Sequence, residues 1–402
     1  MSRAWFVAAG VLAVVIAGIV FWAEVRVRAS ALPSRAQYRS EWSPAAAAGY
    51  LDSREMWWQE WPHAQRDQGT VCISCHTVLP YALARPALRA QLHQGALTMG
   101  ETKMLDSIEK RVADWQHLPP YYTDAAHAAP SHATESVLNA LILAIYSQQD
   151  ASLRPVAQQA FDEAWALQET TGANAGGWQW QDFHEAPWES PESVYQGAAM
   201  MAIAVGVAGD SYGADRAGHD RIARLDDYLI RHYPAQPLLN RLYVLWASAK
   251  VPGLLPHAQR AELLQSMAKS QQPDGGWSLP SLDPQHAPKK AFLDFLKRAN
   301  DADASDGCAT GLAVLAMEEA GVNPQDPMLQ RGVAWLARNQ DQEGSWWASS
   351  LNGFRDPASD MGRFMSDAAT GYSVIALEEA QARNSAPLPA RAPGAPSARS
   401  GD

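Results

Sequence analysis

Two kinds of hydrophobic pattern alternate along the chain. Runs such as "VLNALILAIY" (137–146) and "GAAMMAIAVGVAG" (197–209) are apolar nearly all round, as expected of helices buried on most sides. Between the apolar runs lie "RPVAQQAFDEAWALQ", "DRIARLDDYLIRHY", "AQRAELLQSMAKSQ" and "MLQRGVAWLARNQ", each with charge on one helical face. Amphipathic helices alternating with fully apolar ones predict an all-α fold in two concentric layers, one facing solvent and one lining a centre. The apolar helices start near 134, 192, 238, 308 and 368. Upstream, "YLDSREMWWQEWPHAQ" (50–65) reads as an outer helix, "TVLPYALARPALRAQL" (77–92) as an inner one despite Pro80 and Pro86, and "KMLDSIEKRVADWQ" (103–116) as the second outer helix. That makes six hairpins. The competing division cuts residues before about 125 away as a separate small domain.

Internal repeats support the hairpin division. "ATGLAVLAMEEA" (309–320) and "ATGYSVIALEEA" (369–380) share Ala, Thr, Gly, Val, Ala, Glu, Glu and Ala at an offset of sixty, and "ESV" recurs at 135–137 and 192–194. The turns "QQPDGGW" (271–277) and "QDQEGSW" (340–346) place Gln four residues before Gly, as does "QRDQG" (65–69). "AGGWQW" (175–180) keeps Gly and Trp but lacks the Gln.

Composition narrows the function. A net charge of −11 with no basic stripe excludes a nucleic-acid partner. Residues 5–23, "WFVAAGVLAVVIAGIVFWA", are uncharged and long enough to span a bilayer, with Trp5 and Trp22 at interfacial positions. They read as an inner-membrane anchor within residues 1–30; a cleavable signal ending at "ASA" (29–31) is the alternative. Arg26, Arg28, Arg35 and Arg39 follow this segment and only Arg3 precedes it, which by charge bias favours a cytoplasmic C-terminal side. The Pro/Ala-rich end, 384–402, reads as a disordered tail.

"CISCH" (72–76) is a Cys-x-x-Cys-His sequence, read as covalent attachment of one haem c. Cys72 and Cys75 would add to the two vinyl groups, and the adjacent His76 would bind the iron axially. Covalent haem attachment occurs outside the cytoplasm, so this motif outweighs the charge bias. It places the bulk of a single-pass protein on the periplasmic side. Met99, in the loop-like "HQGALTMGE", and His132, near the start of the second inner helix, are the candidates for a distal ligand. A filled sixth position makes an electron carrier; an open one admits a reactant.

The repeated Gln-x-x-x-Gly-[Gly/Ser]-Trp turns resemble the QW motifs of the squalene cyclase and protein prenyltransferase superfamily. The resemblance is strongest over 255–381, fair over 134–210 and weakest over 50–120. It implies an (α/α)6 toroid over 126–383, with the haem-bearing residues 31–125 supplying its first two hairpins. It also implies a cavity suited to an isoprenoid or quinone-like molecule. Functional residues in that superfamily gather where inner helices begin, which here means "DADASDGCATG" (301–311) and "MSDAATG" (365–371). Asp306, Cys308 and Asp367 are thus the catalytic candidates. The cyclases' Asp-x-Asp-Asp-Thr-Ala start is incomplete here, with Cys308 where the acid belongs, and a thiol does not protonate a polyene. "DGC" (306–308) resembles the prenyltransferases' Asp-x-Cys zinc pair, but the third ligand, a His on the next inner helix, is absent. The expectation is an exported haem c protein doing redox chemistry beside a hydrophobic cavity. The alternatives are an electron carrier that docks a protein partner, and a cyclase with an accessory haem.

Overall fold

The computed structural model describes residues 38–209, 216–286, 304–348, 350–352 and 359–385. The anchor segment 5–23 and all but the start of the 384–402 tail lie outside the described residues. Among the described residues there are thirteen α-helices and no β-strand, and no helix is long and apolar enough to cross a membrane. The helices are α1 (Pro44–Glu60), α2 (Val78–Gln91), α3 (Met99–Ala113), α4 (Ala128–Ser147), α5 (Arg154–Ala166), α6 (Ser193–Ala208) and α7 (Arg216–His232). They continue with α8 (Leu238–Ser248), α9 (His257–Ser270), the single-turn α10 (Leu279–Leu282), α11 (Gly307–Glu319), α12 (Pro327–Arg338) and α13 (Phe364–Ser385).

The apolar helices pack in a closed order. α2 lies on α4, α4 on α6, α6 on α8, α8 on α11, α11 on α13, and α13 on α2 again. The amphipathic helices cover them from outside: α1 packs on α2, α5 on α4, α7 on α6, α9 on α8 and α12 on α11. α3 lies on α1, α2 and α5. Helix α4 begins several residues earlier than its apolar run, because "AAPSHA" (128–133) continues it toward the loop that precedes it.

Three connecting turns share one set of bonds. Trp178, Trp277 and Trp346 are fully buried. Their indole N–H groups donate to last-turn carbonyls of the preceding outer helix: Ala164 at 2.6 Å, Met267 at 2.9 Å and Leu336 at 2.9 Å. Helix ends leave carbonyls unpaired, and each Trp satisfies one while filling the space beneath it. The glutamine of each turn bridges its own loop to the next outer helix. Gln271 Nε2 donates to the carbonyls of Gly275 and Met328, and Gln340 Nε2 to those of Gly344 and Ser43.

The turn at 175–180 does have its glutamine. Gln168 Nε2 donates to the carbonyls of Gly176 and Arg221. It lies eight residues before the glycine rather than four, and a longer loop folds back to bring it into place. At "QRDQG" the reverse holds: Gln65 Nε2 donates to Gln59 O, so this copy has the sequence spacing without the bridge.

The repeated Ala-Thr-Gly has a structural meaning. Thr310 and Thr370 accept the backbone N–H groups of Trp277 and Trp346, tying each turn to the inner helix that follows it. The glycine lets inner helices meet backbone to backbone. A Cβ on Gly311 would come within 2.7 Å of Ser373 N, and one on Gly371 within 2.7 Å of Pro80 O.

At the far end of the same repeat Glu318 is buried, and its Oε2 finds no protein donor. Burial, then the Glu379 and Glu319 carboxylates, push it up to about 9, with Arg383 opposing. Its repeat partner Glu378 is pushed by burial to about 7.

Two predictions follow from these contacts. Gly344 has φ 101°, and a Cβ there would lie 2.2 Å from Ala46 O. Gly344→Ala should cost at least about 1–3 kcal/mol from backbone strain alone, read as a lower urea midpoint; an unchanged midpoint would show that the contact is not needed. Glu318 is protonated in the fold, so its contribution to stability is complete below pH 4.5, its ordinary value, and is lost as pH rises through about 9. Glu318→Gln should flatten that decline in unfolding midpoints taken between pH 5 and pH 9.

Candidate functional site

The segment between α1 and α2 is held rigidly before it reaches His76. Cys72 N–H donates to Ala64 O at 2.9 Å, and its carbonyl accepts the Trp58 indole N–H at 2.7 Å. Val71 N–H donates to Ser107 Oγ on α3 at 3.0 Å. Within the motif itself, Ser74 Oγ accepts the N–H groups of Thr77 and Val78, so the Cys-x-x-Cys spacer also caps α2. His76 therefore stands at the N-terminal end of α2 with its ring stacked on Phe364 at 3.8 Å and edge-on to Trp58 at 5.2 Å.

A hydrogen-bond chain runs from this ring into the protein. His76 Nδ1 lies 2.9 Å from Thr77 Oγ1, which donates to Asp367 Oδ2 at 2.7 Å. Asp367 is fully buried, and its Oδ1 accepts from Tyr50 OH at 2.7 Å and Arg54 Nε at 2.8 Å. The Thr77 hydroxyl has one proton and gives it to the carboxylate, so it must accept from His76; Nδ1 carries the hydrogen. Nε2 then has the lone pair a metal needs. Burial pushes the Asp367 carboxyl up, and Arg54, Thr77 and Tyr50 oppose it. The Arg54 guanidinium lies beside it with Nε 2.8 Å from Oδ1, an ion pair that favours the carboxylate form against burial.

His76 lines a cleft whose walls include Glu185, Trp188, Glu189, Trp347, Met361 and Met365. The cleft sits where α2, α6 and α13 begin. Burial, then the Glu185 carboxylate, pushes Glu189 up to about 7. All three cysteines are unbridged thiols. Cys72 is half-buried, whereas Cys75 is buried, and burial raises its thiol well above the ordinary value, with Glu189 adding to the rise.

The other sequence candidates take different places. Asp306 caps α11: Oδ1 accepts Ala309 N–H at 2.9 Å and Oδ2 accepts Leu279 N–H at 2.7 Å. Burial lifts this carboxyl to about 7, against the backbone donors. Its neighbour Gly307 donates to Trp347 O on the cleft wall, but Asp306 itself does not line the cleft. Cys308 is buried, and burial, then Asp306, raises its thiol. Deeper still, Tyr243 on α8 and Tyr372 on α13 meet hydroxyl to hydroxyl at 2.9 Å, both buried.

Met99 is exposed at the first position of α3, and His132 packs on Trp115 at 4.0 Å. Neither is among the cleft residues. Met361, Met365 and Phe364 are, although they lie far along the chain from the Cys-x-x-Cys-His sequence. The available signal was indirect: "MGRFM" (361–365) spans the start of the last inner helix, which a closed order makes the neighbour of the first.

Comparison with known protein families finds no matching family model, and a search of curated proteins finds no match. The residues present nevertheless suit a covalent haem. Two unbridged thiols directly precede a histidine that lines the cleft, and the hydrogen on Nδ1 of that histidine is directed to Thr77. No group of three or more His, Cys, Asp or Glu side chains able to hold a metal ion occurs among the described residues. A porphyrin iron needs none, since the macrocycle supplies four of its ligands.

Asp306 uses both carboxylate oxygens as acceptors, so an amide there must turn its NH2 toward one of the two N–H donors. Asp306→Asn should lower stability by about 1–3 kcal/mol, the cost of a buried donor left unpaired, measured by denaturant unfolding. A neutral result would show that one of those two bonds is dispensable.

Proposed function

We propose that the chain is a membrane-anchored, exported monohaem c-type redox protein built on a squalene cyclase-like (α/α)6 toroid. Cys72 and Cys75 would hold the porphyrin, and His76, on the wall of the cleft at the inner-helix N-termini, would supply a nitrogen to its iron. The cyclic packing order of α2, α4, α6, α8, α11 and α13 supports the toroid. One observation carries the functional reading: the hydrogen bonds from Asp367 through Thr77 fix the tautomer of His76 that can bind iron. A bound haem supplies one-electron chemistry at the iron. The protein's part is to hold His76 Nε2 in place, to exclude water with Trp188 and Phe364, and to present carboxylates from Glu185 and Glu189 at the rim.

Two uses of such a haem follow from the resemblance and the geometry. One is redox chemistry on a hydrophobic, isoprenoid or quinone-like molecule held beside it. The other is electron transfer to a docked protein partner, without catalysis. The buried Tyr243–Tyr372 pair favours the second, because it occupies interior space that a long apolar chain would need. Cyclisation has no matching acid at Asp306, whose two oxygens are both engaged in backbone bonds.

The test is expression with c-type haem maturation in the periplasm. The pyridine haemochrome spectrum should show one haem per chain that denaturation does not extract, and the Cys72→Ala/Cys75→Ala double variant should lose it entirely. A wild-type chain exported alongside the maturation machinery yet free of covalent haem would end this reading. CO binding to the ferrous protein then separates the two uses: rapid binding indicates an open iron for a reactant, and no binding indicates a carrier with both axial positions filled.

A further inference from the structure

The hydrogen bonds behind His76 extend further than holding a ring in place requires. Thr77 is the first residue past the motif, and its hydroxyl is committed at both ends: it accepts from His76 Nδ1–H and donates to Asp367. Asp367 comes from α13, nearly the whole chain away, and is met from α1 by Tyr50 and Arg54. Arg54 is tied down further by the side chain and backbone carbonyl of Asp360. Three helices thus converge on one buried carboxylate, which among the described residues is hydrogen-bonded toward His76 through the Thr77 hydroxyl. A surface threonine capping a helix would not need this. Ser74 already caps α2, so the Thr77 hydroxyl is not required for capping.

Resting on the haem reading above, we infer that Thr77 and Asp367 are positioning residues that set the electron-donor strength of His76 toward the iron, and thereby the redox potential of the haem. The reasoning is electrostatic. A negative charge pulling on the Nδ1 proton through one intervening hydroxyl makes Nε2 a stronger donor. A stronger donor favours the ferric over the ferrous ion, so the relay lowers the midpoint potential. In the low-dielectric interior this pull is screened less than at the surface. Asp367 is a poor residue to test directly, because removing it would strand the buried Arg54. Thr77 breaks the relay without uncovering a charge.

The experiment compares haem-loaded wild type with Thr77→Val and Thr77→Ser by spectroelectrochemical titration, with helicity and haem content checked in parallel. Thr77→Val should raise the midpoint. Loss of an outer-shell partner weakens metal affinity by about tenfold or more. A tenfold change in the ferric-over-ferrous preference corresponds to about 59 mV for a one-electron couple. Thr77→Ser keeps the hydroxyl and should titrate with wild type. A Thr77→Val protein that keeps its haem and its potential overturns the relay. So does a Thr77→Ser protein that departs as far as Thr77→Val. Hydrogen exchange of the axial imidazole Nδ1–H in the wild type gives a second reading that needs no variant: slow exchange supports the relay and rapid exchange overturns it. A wild type without covalent haem refutes the haem reading itself, and a wild type with haem but an insensitive potential refutes only the relay.

Discussion

Gln340 joins the two ends of the helical array. Its side-chain oxygen accepts the N–H of Ser43 at 2.6 Å while its amide donates to the Ser43 carbonyl at 3.1 Å, a reciprocal pair between residues almost three hundred positions apart. The same turn brings Gly344 against Ala46, and Arg39 donates to the carbonyls of Asp341 and Gln342. Everything that α1 contributes depends on this joint. Tyr50, Arg54 and Trp58 all lie on α1, and they reach Asp367, Cys72 and His76 only because the helix start is held by the last turn. An unclosed array would leave α1 packed on α2 and α3, and Asp367 would lose its guanidinium.

The buried Arg54–Asp367 pair explains why that closure also matters chemically. Such pairs rarely stabilise a fold over an apolar packing of the same volume, while breaking one costs about 3–5 kcal/mol. Keeping this one therefore makes sense if it serves orientation. The carboxylate accepts three donors from two other elements, leaving one geometry in which all are satisfied. The Arg111–Glu135 pair has the same form between α3 and α4, with Thr70 Oγ1 and Pro119 O as additional partners of the guanidinium. Both pairs flank the segment 70–77, so the residues around the two cysteines are braced by ionic contacts on either side.

Much of the helical order was legible because burial on all sides leaves a run of apolar residues that no surface helix shows. The inner helices at 193, 238, 307 and 364 begin within a few residues of the apolar pattern. Legibility failed where a bond can be made from a different sequence distance. Gln168 does in one turn what Gln271 and Gln340 do in theirs, but a spacing rule built on four residues cannot find it, since the bond depends on where the loop returns. Gln65 obeys the rule and makes another contact. The Cys-x-x-Cys-His motif was plain by its fixed spacing. Met361 and Met365 were not, because they reach the cleft through helix order rather than through proximity along the chain.

The placement of acidic groups separates two roles that the sequence presents alike. Asp306 and Asp367 stand at the openings of two copies of the same repeat, but the offset of sixty pairs Asp306 with Ser366, so Asp367 lies one position later. Asp306 spends both oxygens on backbone N–H groups and stays within its own turn, as a cap does. Asp367 falls inside its helix, where the first-turn N–H groups do not claim its side chain, so its oxygens are available to Tyr50, Arg54 and Thr77. The difference traces to that one-residue shift together with a different helix start. α11 begins just after its aspartate, whereas α13 begins three residues before its own, at Phe364. That earlier start also delivers Phe364 to the face of His76. One extra turn thus places Asp367 inside the helix as the anchor of the site and adds an aromatic wall to it.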